Sequence, residues 1–206
     1  MTTTGTTRDA RATAPPGAAT CGHVVTAASR AHRRELGVDE PTTDLLLTAQ
    51  LHLGRTPVAA ASKLHSGLLF ALGRALDEDA TVFDAARAVE HVAPAVEVVG
   101  EGGARAVAPG TAPARLDAVD LRLAGCLVHR NGEIAETGAG GVLLGSPLEA
   151  LVWLARTGAR PQAGQLVLVS SMTRAVPVGP GDTAVVSVAG LGVATARLVP
   201  AAEEVR

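Results

Sequence analysis

Residues 137–199 read TGAGGVLLGSPLEALVWLARTGARPQAGQLVLVSSMTRAVPVGPGDTAVVSVAGLGVATARLV, and the fold turns on how this stretch is parsed. A glycine-rich turn (Gly138, Gly140, Gly141) leads through Gly145-Ser146-Pro147 into a helix. Ser146 is a good N-cap, and Pro147 suits the first helical position, because the amide it lacks would go unpaired there anyway. Leu148, Leu151, Val152, Leu154 and Ala155 recur at helical spacing, and Gly158 ends the run. Short β-type runs follow at 166–169, 184–188 and 193–198, split by Pro-Val-Gly-Pro-Gly-Asp and Gly-Leu-Gly turns. Short strands between tight glycine turns imply an α+β chain with a twisted or closed β core, not a parallel α/β sheet.

Working outward, 120–128 (DLRLAGCLV) alternates and reads as a strand. Asn131-Gly132 then marks a hairpin, with the return strand starting at Ile134. The Gly/Ala/Pro-rich residues 102–115 read as a loop. Residues 81–90 form a short helix with Thr81 as N-cap and Asp84 in the first turn, where negative charge meets the helix dipole favourably. His91 and Pro94 mark its end, and 45–53 supplies a strand or a strand and turn. Residues 1–20 are Thr, Ala, Gly and Pro with scattered charge; they bury too little to offset ordering and are expected to be a flexible tail. A single domain is expected over 21–200, with a short C-terminal tail over 201–206.

Hydrophobic residues make up 47% of the 206 and aromatic residues only 1%, so the interior and any pocket are aliphatic. A net charge of −2 without a basic run argues against nucleic acid. Cys21 and Cys126 make no disulfide framework, no apolar run spans a bilayer, and the N-terminus has no apolar signal core. The expectation is a reduced, cytoplasmic protein with a small-molecule substrate, associated as a homo-oligomer.

GSPLEALVWLA (145–155), AGQLVLVSSMT (163–173), VGPGD (178–182) and LGVATARL (191–198) occur in an order that resembles the C-terminal core of the 2-keto-4-pentenoate hydratase family. That family includes the 4-oxalocrotonate decarboxylases and lies within the fumarylacetoacetate hydrolase-like superfamily. The resemblance extends upstream through RNGE (130–133), PAVEVV (94–99), LLFALGR (68–74) and Ser29 with ELGVDEP (35–41). It implies a mixed β-roll or barrel with short flanking helices and, in active relatives, a divalent metal gripping a 2-oxo acid. It also implies helical sequence ahead of the first motif, most of which is expected to be missing from this chain.

Aligned on Gly73-Arg74, the two metal carboxylates of the family's Glu-x-Glu fall at His65 and Gly67. Carboxylates one residue apart on a strand point the same way and make half a site for Mg²⁺ or Mn²⁺; here one is an imidazole and the other has no side chain. The third ligand matches Glu97, whose alternative is a solvent-facing place on an edge strand. The Asp-Ser-Arg that follows in relatives is replaced by Gly100-Glu101-Gly102, and their Ala-Asp-Asn-Ala-Ser segment has no counterpart. Where relatives carry a lysine after the first glycine, this chain has His23, a weaker stand-in that could equally be a satisfied or solvent-facing histidine. Ser171 and Thr173 are the candidate hydroxyl contacts to substrate.

Three readings follow. In the first, a divergent, metal-independent enzyme uses Glu97 and His65 as an acid–base pair, burial lifting the carboxyl toward neutrality. It would dehydrate, isomerise or cyclise a small hydrophobic or 2-oxo intermediate in specialised biosynthesis. In the second, the chain is a metal-dependent hydratase or decarboxylase. In the third, it is a non-catalytic partner of a paralogous subunit.

Overall fold

A computed structural model describes residues 16–201. Twelve strands and three α-helices run in the order β1 (Thr20–Thr26), α1 (Arg30–Leu36), β2 (Thr42–Leu47), β3 (Gly54–Val58), β4 (Ser62–Leu72), α2 (Val82–Ala88), β5 (Val89–Gly100), β6 (Arg105–Pro109), β7 (Gly125–Arg130), β8 (Glu133–Ala139), α3 (Pro147–Leu154), β9 (Leu166–Ser170), β10 (Val176–Val178), β11 (Thr183–Val188) and β12 (Gly192–Pro200). A seven-stranded sheet has the order β2-β1-β9-β4-β5-β6, with β10 continuing beyond β9 along the same side of β4. A five-stranded sheet has the order β3-β12-β11-β7-β8. Only the β1–β9 and β12–β3 pairs are parallel.

The larger sheet curls until its edges meet. Just after β2, Leu51 bridges to Val107 of β6, and His52 N donates to Val107 O at 2.8 Å. The side chains of Arg105 on β6 and Asp44 on β2 span the same seam at 3.2 Å. Closure gives the sheet an inside and an outside, and side chains alternate between them with a period of two. Inward residues include Val24, Leu46, Leu69, Ala95, Val107 and Leu168, which pack together as an apolar plug. Outward residues such as Leu68, Phe70, Val96, Val98 and Val169 pack in the main core with Val128, Val186, Ala196 and Leu198 of the second sheet. This is the mixed β-roll with short flanking helices that the family resemblance implied.

Local chemistry explains much of the detail. Ser146 Oγ accepts from Leu148 N ahead of Pro147, and Thr81 and Asp84 form a reciprocal capping box. The β7–β8 turn places Asn131 and Gly132 at φ 53° and 91°, both in the left-handed region that Asn-Gly tolerates. Three expectations need correcting. Residues 102–115 are not all loop, because β6 pairs with β5; Ala106, Val107 and Ala108 are buried on both faces, which erases the alternation that marks a half-exposed strand. His91 and Pro94 lie within β5, not at a helix end. The strand read at 120–128 starts only at Gly125, since the Asp120 side chain accepts from Arg122 N and folds the preceding residues into a turn.

The expected tails lie largely outside the described residues. Within them, Thr20 already opens β1 and Ala201 N donates to Val58 O. Among the described residues no helix is long and apolar enough to cross a membrane.

Candidate functional site

β4 and β5 are antiparallel, and their register sets His65 directly opposite Glu97. Facing residues in such a pair hold their Cβ atoms about 5 Å apart on one face. That face is the inside of the roll, at the end not filled by the apolar plug. The two side chains are 5% and 1% exposed, so Glu97 is a buried acid and not a solvent-facing edge residue. Both line a cavity of about 850 Å³, with Ala60, Ala61, Leu36 and Val178 among its apolar walls.

Glu97 is not alone. Arg105 Nε donates to Glu97 Oε1 at 2.8 Å, and Arg105 Nη1 donates to Asp44 Oδ2 at 3.2 Å. The hairpin between β5 and β6 pairs Val99 with Arg105, so Arg105 meets Glu97 diagonally on the inward face. Its side chain is 9% exposed, against 57% for Lys63 and 43% for Arg130, the other cations at the cavity, which pair with Glu35 and Asp182. Arg105 is therefore the least exposed cation of the site.

His32, on α1, stacks on His65 with ring centroids 4.5 Å apart. Ser29 caps this short helix by accepting from His32 N, and Arg33 donates to the Ala27 and Ala28 carbonyls, which ties the helix across the mouth of the roll. Burial pulls the His32 imidazole down to about 4, helped by the neighbouring His65. Burial likewise lowers His65, while Glu97 opposes the shift. Both rings are neutral at pH 7. Glu97 Oε2, His65 Nδ1 and His32 Nδ1 are all buried and, among the described residues, have no hydrogen-bond partner. Three orphaned polar atoms beside one cavity are costly unless something arrives to satisfy them.

The other expected contacts lie elsewhere. Thr173 Oγ1 sits 2.9 Å from Ser66 Oγ, on the side of β4 opposite His65, and donates to Arg174 O. Ser171 is fully buried in the connection between β9 and β10 and does not line the cavity. His23 alternates with Val24 onto the outward side of β1, where burial lowers its pKa and the Gln165 side chain opposes that. In contrast Arg105, His32 and Lys63 line the cavity although no motif in the sequence singles them out. Lys63 was legible in principle, two residues before His65 on the same strand face; Arg105 was hidden in the supposed loop.

Around Glu97 the set of possible metal donors is thin. Among the described residues no three His, Cys, Asp or Glu side chains converge to hold an ion. A Cβ on Gly67 would lie 2.9 Å from Leu168 Cδ1 and 3.1 Å from Val169 O, so a side chain there would need Leu168 to shift.

No protein-family model matches the chain. It is 34% identical over 186 residues to the 2-keto-4-pentenoate hydratase of Paraburkholderia xenovorans, covering 78% of this chain and 69% of that protein. The chain belongs to the 2-keto-4-pentenoate hydratase family. Among solved structures it resembles the 4-oxalocrotonate decarboxylase from Pseudomonas putida G7, complexed with magnesium and adipate. The TM-score is 0.80 at 27% identity, covering 89% of this chain and 79% of the decarboxylase. The fold alone extends to the fumarylacetoacetate hydrolase of Exiguobacterium antarcticum, with a TM-score of 0.72 at 17% identity over 90% of this chain and 76% of that one. The hydratase family is thus one of enzymes, and its fold is fumarylacetoacetate hydrolase-like.

Proposed function

We propose that this hydratase-family chain moves a proton on a small 2-oxo or aliphatic intermediate without a resident metal ion. The outcome would be a dehydration, isomerisation or ring closure of the kind specialised biosynthesis demands. The observation that carries the reading is the facing His65–Glu97 pair, with the Arg105 guanidinium already seated on the carboxylate. A divalent ion that prefers oxygen ligands needs several carboxylate or carbonyl donors. Here one carboxylate is engaged by a cation, the opposite donor is an imidazole, and Gly67 offers no side chain. The residues present do not fit Mg²⁺ or Mn²⁺.

Neutral His65 can accept a proton from carbon next to a carbonyl and return it to another carbon or to a leaving hydroxyl. Glu97 would stabilise the imidazolium formed in between, the same attraction that raises the His65 pKa against burial. The aliphatic walls of the cavity would exclude water from the reacting carbon.

Exchange of solvent deuterium into 2-oxopentanoate, followed by proton NMR with and without EDTA, tests both halves of this reading. Exchange should persist in EDTA and fall by about 10²–10⁴ in His65→Gln, the usual worth of a general base. Exchange abolished by EDTA and restored by Mg²⁺ would favour the second reading, a metal-dependent hydratase or decarboxylase like the magnesium-bound neighbour. No exchange alone, but a stable complex with a paralogous subunit, would favour a non-catalytic partner.

A further inference from the structure

We infer that Arg105 is itself a catalytic residue, the fixed cation that receives the oxyanion formed when a proton leaves the substrate. The inference rests on the acid–base reading above and adds the group that such a reaction would otherwise lack. When His65 removes a proton next to a carbonyl, the electron pair of the broken C–H bond moves onto the carbonyl oxygen. The enolate oxygen carries a full negative charge. It needs a preorganised donor or cation aimed at it.

Arg105 meets that need by position and by hydrogen-bond count. A guanidinium has five N–H donors. Among the described residues, Nε is taken by Glu97 and one Nη1 hydrogen by Asp44, and no protein oxygen accepts from Nη2. Glu97 at Nε and Asp44 at Nη1 fix the guanidinium from two different edges, which leaves Nη2 unengaged on a residue that lines the cavity. The orphaned Glu97 Oε2 and His65 Nδ1 border the same space.

The charge balance permits an anion. Glu97 and Arg105 cancel, His32 and His65 are neutral at pH 7, and Asp44, at 55% exposure, is screened by water. Lys63 and Arg130 are poorer candidates, because each is a solvated cation engaged at the rim.

Oxalate, a planar dianion shaped like the enolate of a 2-oxo acid, is the probe, titrated calorimetrically in EDTA. Because Arg105→Met strands a buried carboxylate and could unfold the chain, the comparison is made between Glu97→Gln and Glu97→Gln/Arg105→Met. Folding of each is checked by circular dichroism. Glu97→Gln should bind oxalate at least as tightly as the parent, since a competing carboxylate is gone. The double variant should bind about ten- to a hundredfold more weakly, the usual worth of a charge-assisted hydrogen bond. Arg105→Lys should fall between, keeping charge without the fork. Equal oxalate affinity in the single and double variants would overturn the assignment of Arg105 whatever the fate of the acid–base reading. Deuterium exchange that needs Mg²⁺ would overturn that reading independently.

Discussion

The inside of the roll has two ends built from the same strands, and they differ in almost every physical respect. Along β4 the inward positions run Lys63, His65, Gly67, Leu69; along β5 they run Val99, Glu97, Ala95; and on β9 Ser170 gives way to Leu168. Gly67 is the boundary, where a Cβ would meet Leu168 Cδ1 at 2.9 Å and the Val169 carbonyl oxygen at 3.1 Å. Below it, Val24, Leu46, Leu69, Ala95, Val107 and Leu168 bury apolar surface with no polar atom to satisfy. Above it, a carboxylate and two imidazoles are buried beside a partly buried guanidinium, yet among the described residues three of their atoms lack partners. An interior selected for stability alone would continue the plug upward, since replacing a buried ion pair by apolar groups is often neutral or stabilising. The contrast separates what closes the roll from what the roll is for.

The largest effect should come from splitting the ion pair. Arg105→Met leaves Glu97 buried without its guanidinium, and about 3–5 kcal/mol of stability should be lost, as when one partner of a buried pair is removed. Glu97→Gln/Arg105→Met should recover most of that loss in urea unfolding. A double variant as unstable as the single one would mean that Arg105 acts through packing, not charge. At the other end, Leu168→Ala should cost roughly 2–5 kcal/mol, because close-packed strands cannot collapse onto the space left. It should leave oxalate affinity unchanged, and a large shift in that affinity would mean that the two ends are mechanically coupled.

How much of this contrast the sequence disclosed depends on how local its cause is. The caps at Ser146 and Thr81 and the Asn131-Gly132 turn are written within four residues, and the structure has them where the sequence puts them. Closure of the roll is not local. It depends on Leu51 meeting Val107 and Asp44 meeting Arg105, contacts between segments more than fifty residues apart. The facing of His65 and Glu97 was reachable only through the family resemblance, which fixed which positions share a site; strand periodicity alone leaves the register free. Arg105 was missed for a definable reason. Its strand is buried on both faces and carries Ala at two of its five positions, so nothing in ARAVAP distinguishes it from the Gly/Ala-rich connection before it. Without Arg105, Glu97 looks like a solitary acid in an apolar pocket. With Arg105 in place it is half of an ion pair.

The smallest expected effect near neutrality concerns the stacked histidines, and it tests whether the polar end carries a stability cost. His32 faces His65 across the stack, with Glu97, Glu35 and Lys63 the other charges that act on it. Its pKa falls from 6.5 in the unfolded chain to about 4 in the fold, chiefly through burial. Between those values the unfolded chain binds the proton and the folded one does not. Stability is therefore fully present above pH 6.5 and is lost as pH falls toward 4, by up to about 1.4 kcal/mol per pH unit for each such group. Carboxylates whose pKa values are depressed in the fold, such as Asp182, add to the loss mainly at the acid end. Comparison of urea midpoints for the parent and His32→Phe across pH 4–7 isolates the imidazole. The phenyl ring keeps the stacking surface, removes the orphaned Nδ1 and cannot titrate, so the variant should be at least as stable at pH 7 and lose less on acidification. Parallel curves would show that His32 is protonated in the fold as readily as out of it. The polar end would then be wetter than its burial implies, and the sharp division at Gly67 would have to be moved upward.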